Sequence, residues 1–162
     1  KIGLLTILLI SGCTFHSFGD STCSFDDNSS ENIETGNIAE GEERMTESII
    51  LKIDNEEFSM KLDDNSTTKE LVKKLPLTVL FSDYGGFEKV GSLGFSLPRN
   101  DKQMTTNPGD VVLYNGNNIV VFYGSNSWSY TKLGHIDDVA RFTNALSEKN
   151  IEITFMIEEE NK

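Results

Sequence analysis

The sequence predicts a mainly-β domain, a closed eight-stranded barrel with two short helices, over residues 48–162. Three observations predict it. Short apolar runs recur between turn signals, about eight of them. Only two segments carry a helical period. The roughly 110 residues involved bury enough surface to be stable alone. Many short strands with few helices make a barrel or a sandwich; the barrel is preferred, with the helices plugging or flanking its ends.

The elements follow in order. Ser48 to Asp54 alternates for part of its length and Phe58-Ser59-Met60-Lys61-Leu62 alternates cleanly, with Asp54 to Glu57 between them. This is a hairpin pattern, and Phe58, Met60 and Leu62 share one face. Thr67 and Glu70 are spaced as a capping box, Leu71, Val72 and Leu75 form an apolar stripe, and Pro76 ends the helix. Leu77 to Phe81 reads as a buried strand and Asp83 to Phe87 as a glycine-rich loop. Val90 to Leu97 supplies one or two short strands, with Gly91 and Gly94 permitting a bend. Pro98 to Gly109 reads as a polar loop.

Asp110 to Tyr114 and Ile119 to Tyr123 flank Asn115-Gly116-Asn117-Asn118, the strongest hairpin in the chain. Both arms are apolar throughout, so both faces are expected to be covered. Asp137 or Asp138 caps a helix running to about Glu148, with Val139, Phe142 and Leu146 inward. Ile151 to Ile157 is the final strand.

The start of the chain carries an address. Lys1, an apolar run of nine residues from Ile2 to Ile10, and Ser11-Gly12-Cys13 are the parts of a secretory signal. The run is far shorter than the roughly 20 residues of a spanning helix. No methionine precedes Lys1, so the charged start is expected to be incomplete. Ile10-Ser11-Gly12-Cys13 resembles the bacterial lipobox. That resemblance implies a diacylglyceryl group on Cys13, cleavage just before it, and a bacterial protein anchored in the cell membrane, facing outside the cytoplasm. Residues 1–12 are then the signal peptide and 13–47 an acidic disordered tether. From residue 14 to 47 nine acidic residues stand against Arg44 alone, without sustained periodicity. Cys23 lies in that tether without a partner.

Net charge is −12, with no basic stripe, which argues against nucleic acid as a partner. No metal site and no cofactor are expected, because the sequence has no Cys/His cluster and His16 and His135 are far apart. There is no Gly-x-Ser-x-Gly elbow and no phosphate loop. His135 is expected to donate to a nearby carbonyl rather than to act as an acid or base. Tyr84, Glu88 and Lys89 are candidates for lining a groove. Phe122, Tyr123, Trp128 and Tyr130 form an aromatic group, of which Trp128 is expected to be partly exposed.

A set of segments, in order, resembles the bacterial cyclophilin-like family. They are Leu75-Pro76-Leu77-Thr78, Asp83-Tyr84, Glu88-Lys89, Leu97-Pro98, Pro108-Gly109-Asp110, Tyr114, the Ile119 to Tyr123 strand, and Lys132 to Asp137. The resemblance covers about residues 48 to 157. It implies an eight-stranded barrel closed by helices, with a ligand groove on its outer face. Isomerase activity does not follow: true cyclophilins present arginine in a Phe-His-Arg context, and neither Arg99 nor Arg141 stands in one. The groove is expected to involve Tyr84, Glu88, Lys89, Arg99, Tyr114, Phe122, Tyr123 and Trp128. The function expected is a membrane-anchored module that binds a peptide or small ligand, or an envelope protein, without catalysis. The alternative is a peptidyl-prolyl isomerase acting on exported proteins, with Arg99 as the first donor to test.

Overall fold

The computed structural model describes residues 46–158. The leader, Cys13, His16, Cys23 and almost all of the tether lie outside the described residues. Nine strands and two helices follow: β1 (Ser48–Ile53), β2 (Glu56–Leu62), α1 (Ser66–Val72), β3 (Leu77–Tyr84), β4 (Glu88–Ser92), β5 (Lys102–Thr105), β6 (Asp110–Tyr114), β7 (Asn118–Phe122), β8 (Ser127–Ile136), α2 (Val139–Ala145) and β9 (Asn150–Ile157). All pairings are antiparallel. The sheet runs β2-β1-β9-β3-β4-β7-β6-β8, and β2 pairs back onto β8. Eight strands therefore close into a barrel, and β5 lies outside it, bonded to β8.

Period-two alternation makes the core. Ile49, Leu51, Phe58, Met60, Val79, Phe81, Ile153 and Phe155 all point to the interior and are buried. Phe81 and Phe155 face one another at 6.3 Å between ring centres. α2 joins the core through Phe142, which is buried and meets Phe58 edge-on at 5.3 Å. Asp138 caps α2, its carboxylate accepting the Arg141 N–H at 3.2 Å. The β6–β7 turn places Asn115 and Gly116 at φ of 52° and 80°, the left-handed region their sequence favours. The seam that closes the barrel pairs Met60 with Ile136 and Leu62 with Gly134. A Cβ at Gly134 would lie 2.3 Å from the Lys61 carbonyl oxygen, so the seam needs glycine there.

Three sequence expectations change. The capping box of α1 is built by Asn65 and Thr68, not Thr67 and Glu70: Asn65 Oδ1 accepts the Thr68 N–H at 3.0 Å, and Thr68 Oγ1 receives the Asn65 N–H at 3.3 Å. Thr67 turns away to donate to Pro98 O at 2.8 Å. The strand from Leu77 alternates rather than being wholly buried, since the outward Leu80 is 60% exposed, and it runs on through Asp83 and Tyr84. The polar stretch from Pro98 to Gly109 contains a strand, β5. β8 is ten residues long, and its first part pairs with β5, its second with β6 and β2.

Candidate functional site

The outer face of the barrel is half apolar. On β4, β6, β7 and β8 several of the residues that alternate with the core set are also hydrophobic, and Val112, Val120, Phe122 and Tyr130 form a second buried cluster. Phe87, Val90, Met104 and Tyr114 pack around it. Register explains the cluster: Val120 stands opposite Val90 on one side and Val112 on the other. The ribbon of β5 and the first residues of β8 lines up Met104 with Trp128 and Lys102 with Tyr130.

This arrangement leaves a groove of about 350 Å³. Val90 and Val120 line it from the barrel wall, Trp128 and Tyr130 from β8, and Tyr84, Glu88, Tyr114, Asn118 and Asn126 complete the lining. Tyr130 meets Tyr114 edge-on at 5.9 Å and Phe122 at 5.7 Å. Asn126 fixes the ribbon's root. Its Nδ2 donates to Tyr130 Oη at 2.9 Å, and Thr106 Oγ1 both receives the Asn126 N–H at 3.0 Å and donates to Asn126 O at 3.1 Å.

Glu88 is the chemical singularity of the groove. It is 6% exposed, and among the described residues its Oε2 is the one buried side-chain polar atom with no hydrogen-bond partner. Burial pushes its carboxyl above the ordinary range, and no cationic side chain lines the groove to oppose that. The same charge, after burial, helps raise the Tyr130 hydroxyl.

Four of the expected site residues line this groove together: Tyr84, Glu88, Tyr114 and Trp128, the last 56% exposed. Phe122 is buried in the apolar layer that supports it. Lys89 and Tyr123 face the other way, as neighbours of Glu88 and Phe122 on a strand must. The Lys89 ammonium is buried, donates to Glu148 O at 2.7 Å and pairs with Asp83 at 3.2 Å, 5.6 Å from the Tyr123 ring centre. Tyr123 donates to Asp83, and burial together with that bond pushes its hydroxyl up to about 12. Arg99 pairs with Asp101, which Thr131 Oγ1 ties to β8 at 2.6 Å, and it does not line the groove. Sequence reading did not place Val90, Asn118, Val120, Asn126 and Tyr130 in the groove. Tyr130 was within reach of the period-two rule, standing two residues from Trp128.

Two other polar groupings are self-contained. Asp110 is buried and accepts the Asn107 N–H at 2.8 Å, pairs with Lys132 at 3.2 Å and meets His135 Nδ1 at 2.9 Å. Burial pushes its carboxyl up, but these partners together hold it below the ordinary value. The partner of His135 is thus a carboxylate rather than a carbonyl. A wider concavity of about 970 Å³ runs along α1, where Lys69 pairs with Asp64 and Lys73 with Glu70.

A family model described as the cyclophilin-like family matches residues 51–157. No curated protein matches the chain. Among solved structures, a hypothetical protein from Archaeoglobus fulgidus is similar in fold, with a TM-score of 0.56 and 16% identity, over 72% of this chain and 99% of that one. McbB, solved in complex with tryptophan, is similar with a TM-score of 0.51 and 16% identity, over 70% of this chain and 46% of McbB. This chain therefore spans about half the length of McbB.

Proposed function

The chain belongs to the cyclophilin-like family, and on that footing we propose that its barrel is a ligand-binding module that holds a peptide or small molecule in the outer-face groove without turning it over. One observation carries the reading: a concavity of about 350 Å³ that combines an apolar wall, three exposed or half-buried aromatic rings and one buried carboxylate with nothing to bind. Concave apolar surface with a few convergent polar groups is the usual form of a small-ligand site. The isomerase alternative asks for a donor to the imide nitrogen, and Arg99 is engaged by Asp101 away from the groove lining.

Trp128 is the chain's single tryptophan, so its fluorescence reports on the groove directly. In a panel of proline-containing peptides, at least one is expected to shift that emission saturably, with the response lost in Tyr84→Ala. A panel that leaves the emission unmoved at millimolar concentration overturns the binding reading. A protease-coupled assay on a Xaa-Pro peptide is expected to return the uncatalysed rate at high protein concentration; any acceleration restores the isomerase.

The address belongs to the same proposal. The lipobox-like Ile10 to Cys13 supports a lipid anchor that holds the module outside the cytoplasm, at the end of the acidic segment. Among the described residues no helix is long and apolar enough to cross a membrane. Labelling cells with a fatty-acid analogue is expected to mark the protein and to fail for Cys13→Ser. Equal labelling of both removes the anchor.

A further inference from the structure

We propose that the groove selects a protonated amine, an alkylammonium whose N–H groups donate to Glu88 while its charge rests against the rings of Tyr84, Tyr114 and Trp128. The inference rests on the groove being a binding site and names the class of its occupant.

The case begins with Glu88. Folded proteins leave few buried polar atoms unpaired, and those they leave call for an explanation. Here the unpaired atom is a carboxylate oxygen on a residue nine-tenths buried, and that residue lines a concavity. The protein supplies no counter-charge there. Lys89, the nearest cation along the chain, lies across the strand in its own ion pair, and no lysine, arginine or histidine lines the groove. An anionic ligand would meet repulsion. A neutral donor would satisfy the hydrogen bond and leave the charge unbalanced. An ammonium group does both.

The rest of the lining fits the same guest. Tyr and Trp rings present electron-rich faces that attract cations, most strongly where water is excluded. Tyr84 is 64% and Trp128 56% exposed, large apolar rings held in solvent beside the acid. Val90 and Val120 offer a surface for the methylene chain. Tyr130 is already engaged by Asn126 and stays where it is, so the carboxylate remains the unclaimed acceptor.

The test uses the full chain and two probes that differ by one group: N-acetyl-lysine amide, and N-acetyl-norleucine amide, which lacks the ammonium. Binding is read by Trp128 fluorescence and by amide NMR shifts. The lysine probe is expected to saturate with shifts at Tyr84, Val120 and Trp128, and the norleucine probe to bind at least about tenfold more weakly. Glu88→Gln is expected to erase that difference while keeping the native amide spectrum and the weak norleucine response. n-Butylammonium separates a free amine from a lysine side chain: affinity equal to that of the lysine probe assigns recognition to the amine alone, and weaker affinity adds the peptide backbone. Equal binding of lysine and norleucine probes, or an unchanged preference in Glu88→Gln, overturns the cation inference and leaves the groove as a binding site. No shift with any probe overturns the cation inference, and the peptide panel then judges the groove by itself.

Discussion

Two buried carboxylates, Glu88 and Asp110, are pushed in opposite directions by their surroundings. Glu88 has burial alone, so its proton is held more tightly in the folded state than in the unfolded one. Its contribution to stability is therefore full below its unfolded pKa and is lost as pH rises through the folded value. Asp110 is also desolvated, but Asn107, His135 and Lys132 outweigh burial. Its contribution is present above its unfolded pKa and is lost as pH falls through the folded value. Glu88→Gln is expected to leave stability near neutral pH unchanged or raised by up to about 1 kcal/mol, and Asp110→Asn to cost about 1–3 kcal/mol. Thermal unfolding across a pH series checks both. Glu88→Gln should flatten the decline on the alkaline side of the carboxyl range, and Asp110→Asn the decline on the acid side.

At the scale of elements, what could be read from the sequence was set by periodicity. The Ser48–Leu62 hairpin announces itself through alternation, the Asn115-Gly116 turn through its residue types, and the covered faces of β6 and β7 through unbroken apolar runs. The groove was half readable for the same reason. Tyr84 and Glu88, opposite each other across β3 and β4, share a side, whereas pairing Glu88 with Lys89 or Phe122 with Tyr123 breaks the rule that neighbours on a strand face apart. β5 escaped because Lys102-Gln103-Met104-Thr105 has no apolar alternation. Its strand state comes from β8 and from Thr106, which is wholly buried. Thr106→Val is expected to remove the two hydroxyl bonds to Asn126 and keep the main-chain one, cost about 1–2 kcal/mol, and speed amide exchange in residues 102–105 and 127–130 before the barrel strands. Gly134→Ala acts on the barrel itself. Its Cβ would press on Lys61 O, so a loss of about 2 kcal/mol or more in thermal unfolding is expected.

For the whole molecule, closure decides what kind of core results. With β2 bonded to β8 the sheet closes on itself, and the inward apolar residues of β1 to β9 join one core cluster. Phe155 belongs to the last strand and packs on Phe81 of the third, so Phe155→Ala is expected to cost about 3–5 kcal/mol in denaturant unfolding and to remain a single transition. The ring also brings the described ends together: Ile49 pairs with Ile157, and Ser48 Oγ donates to Glu158 at 2.6 Å.

A ring of strands has no rim along which another chain could zip, and β5 restores one. Among the described residues, Lys102–Thr105 pairs with β8 alone, so its other flank is an open strand edge. Such a border invites unwanted pairing, and a lysine with its bulky hydrated head is a common deterrent. Lys102 stands on that border, exposed. The strip that flanks the recess is thus also the border most open to clumping, and whatever tightens its hold on β8 steadies the recess and protects solubility together.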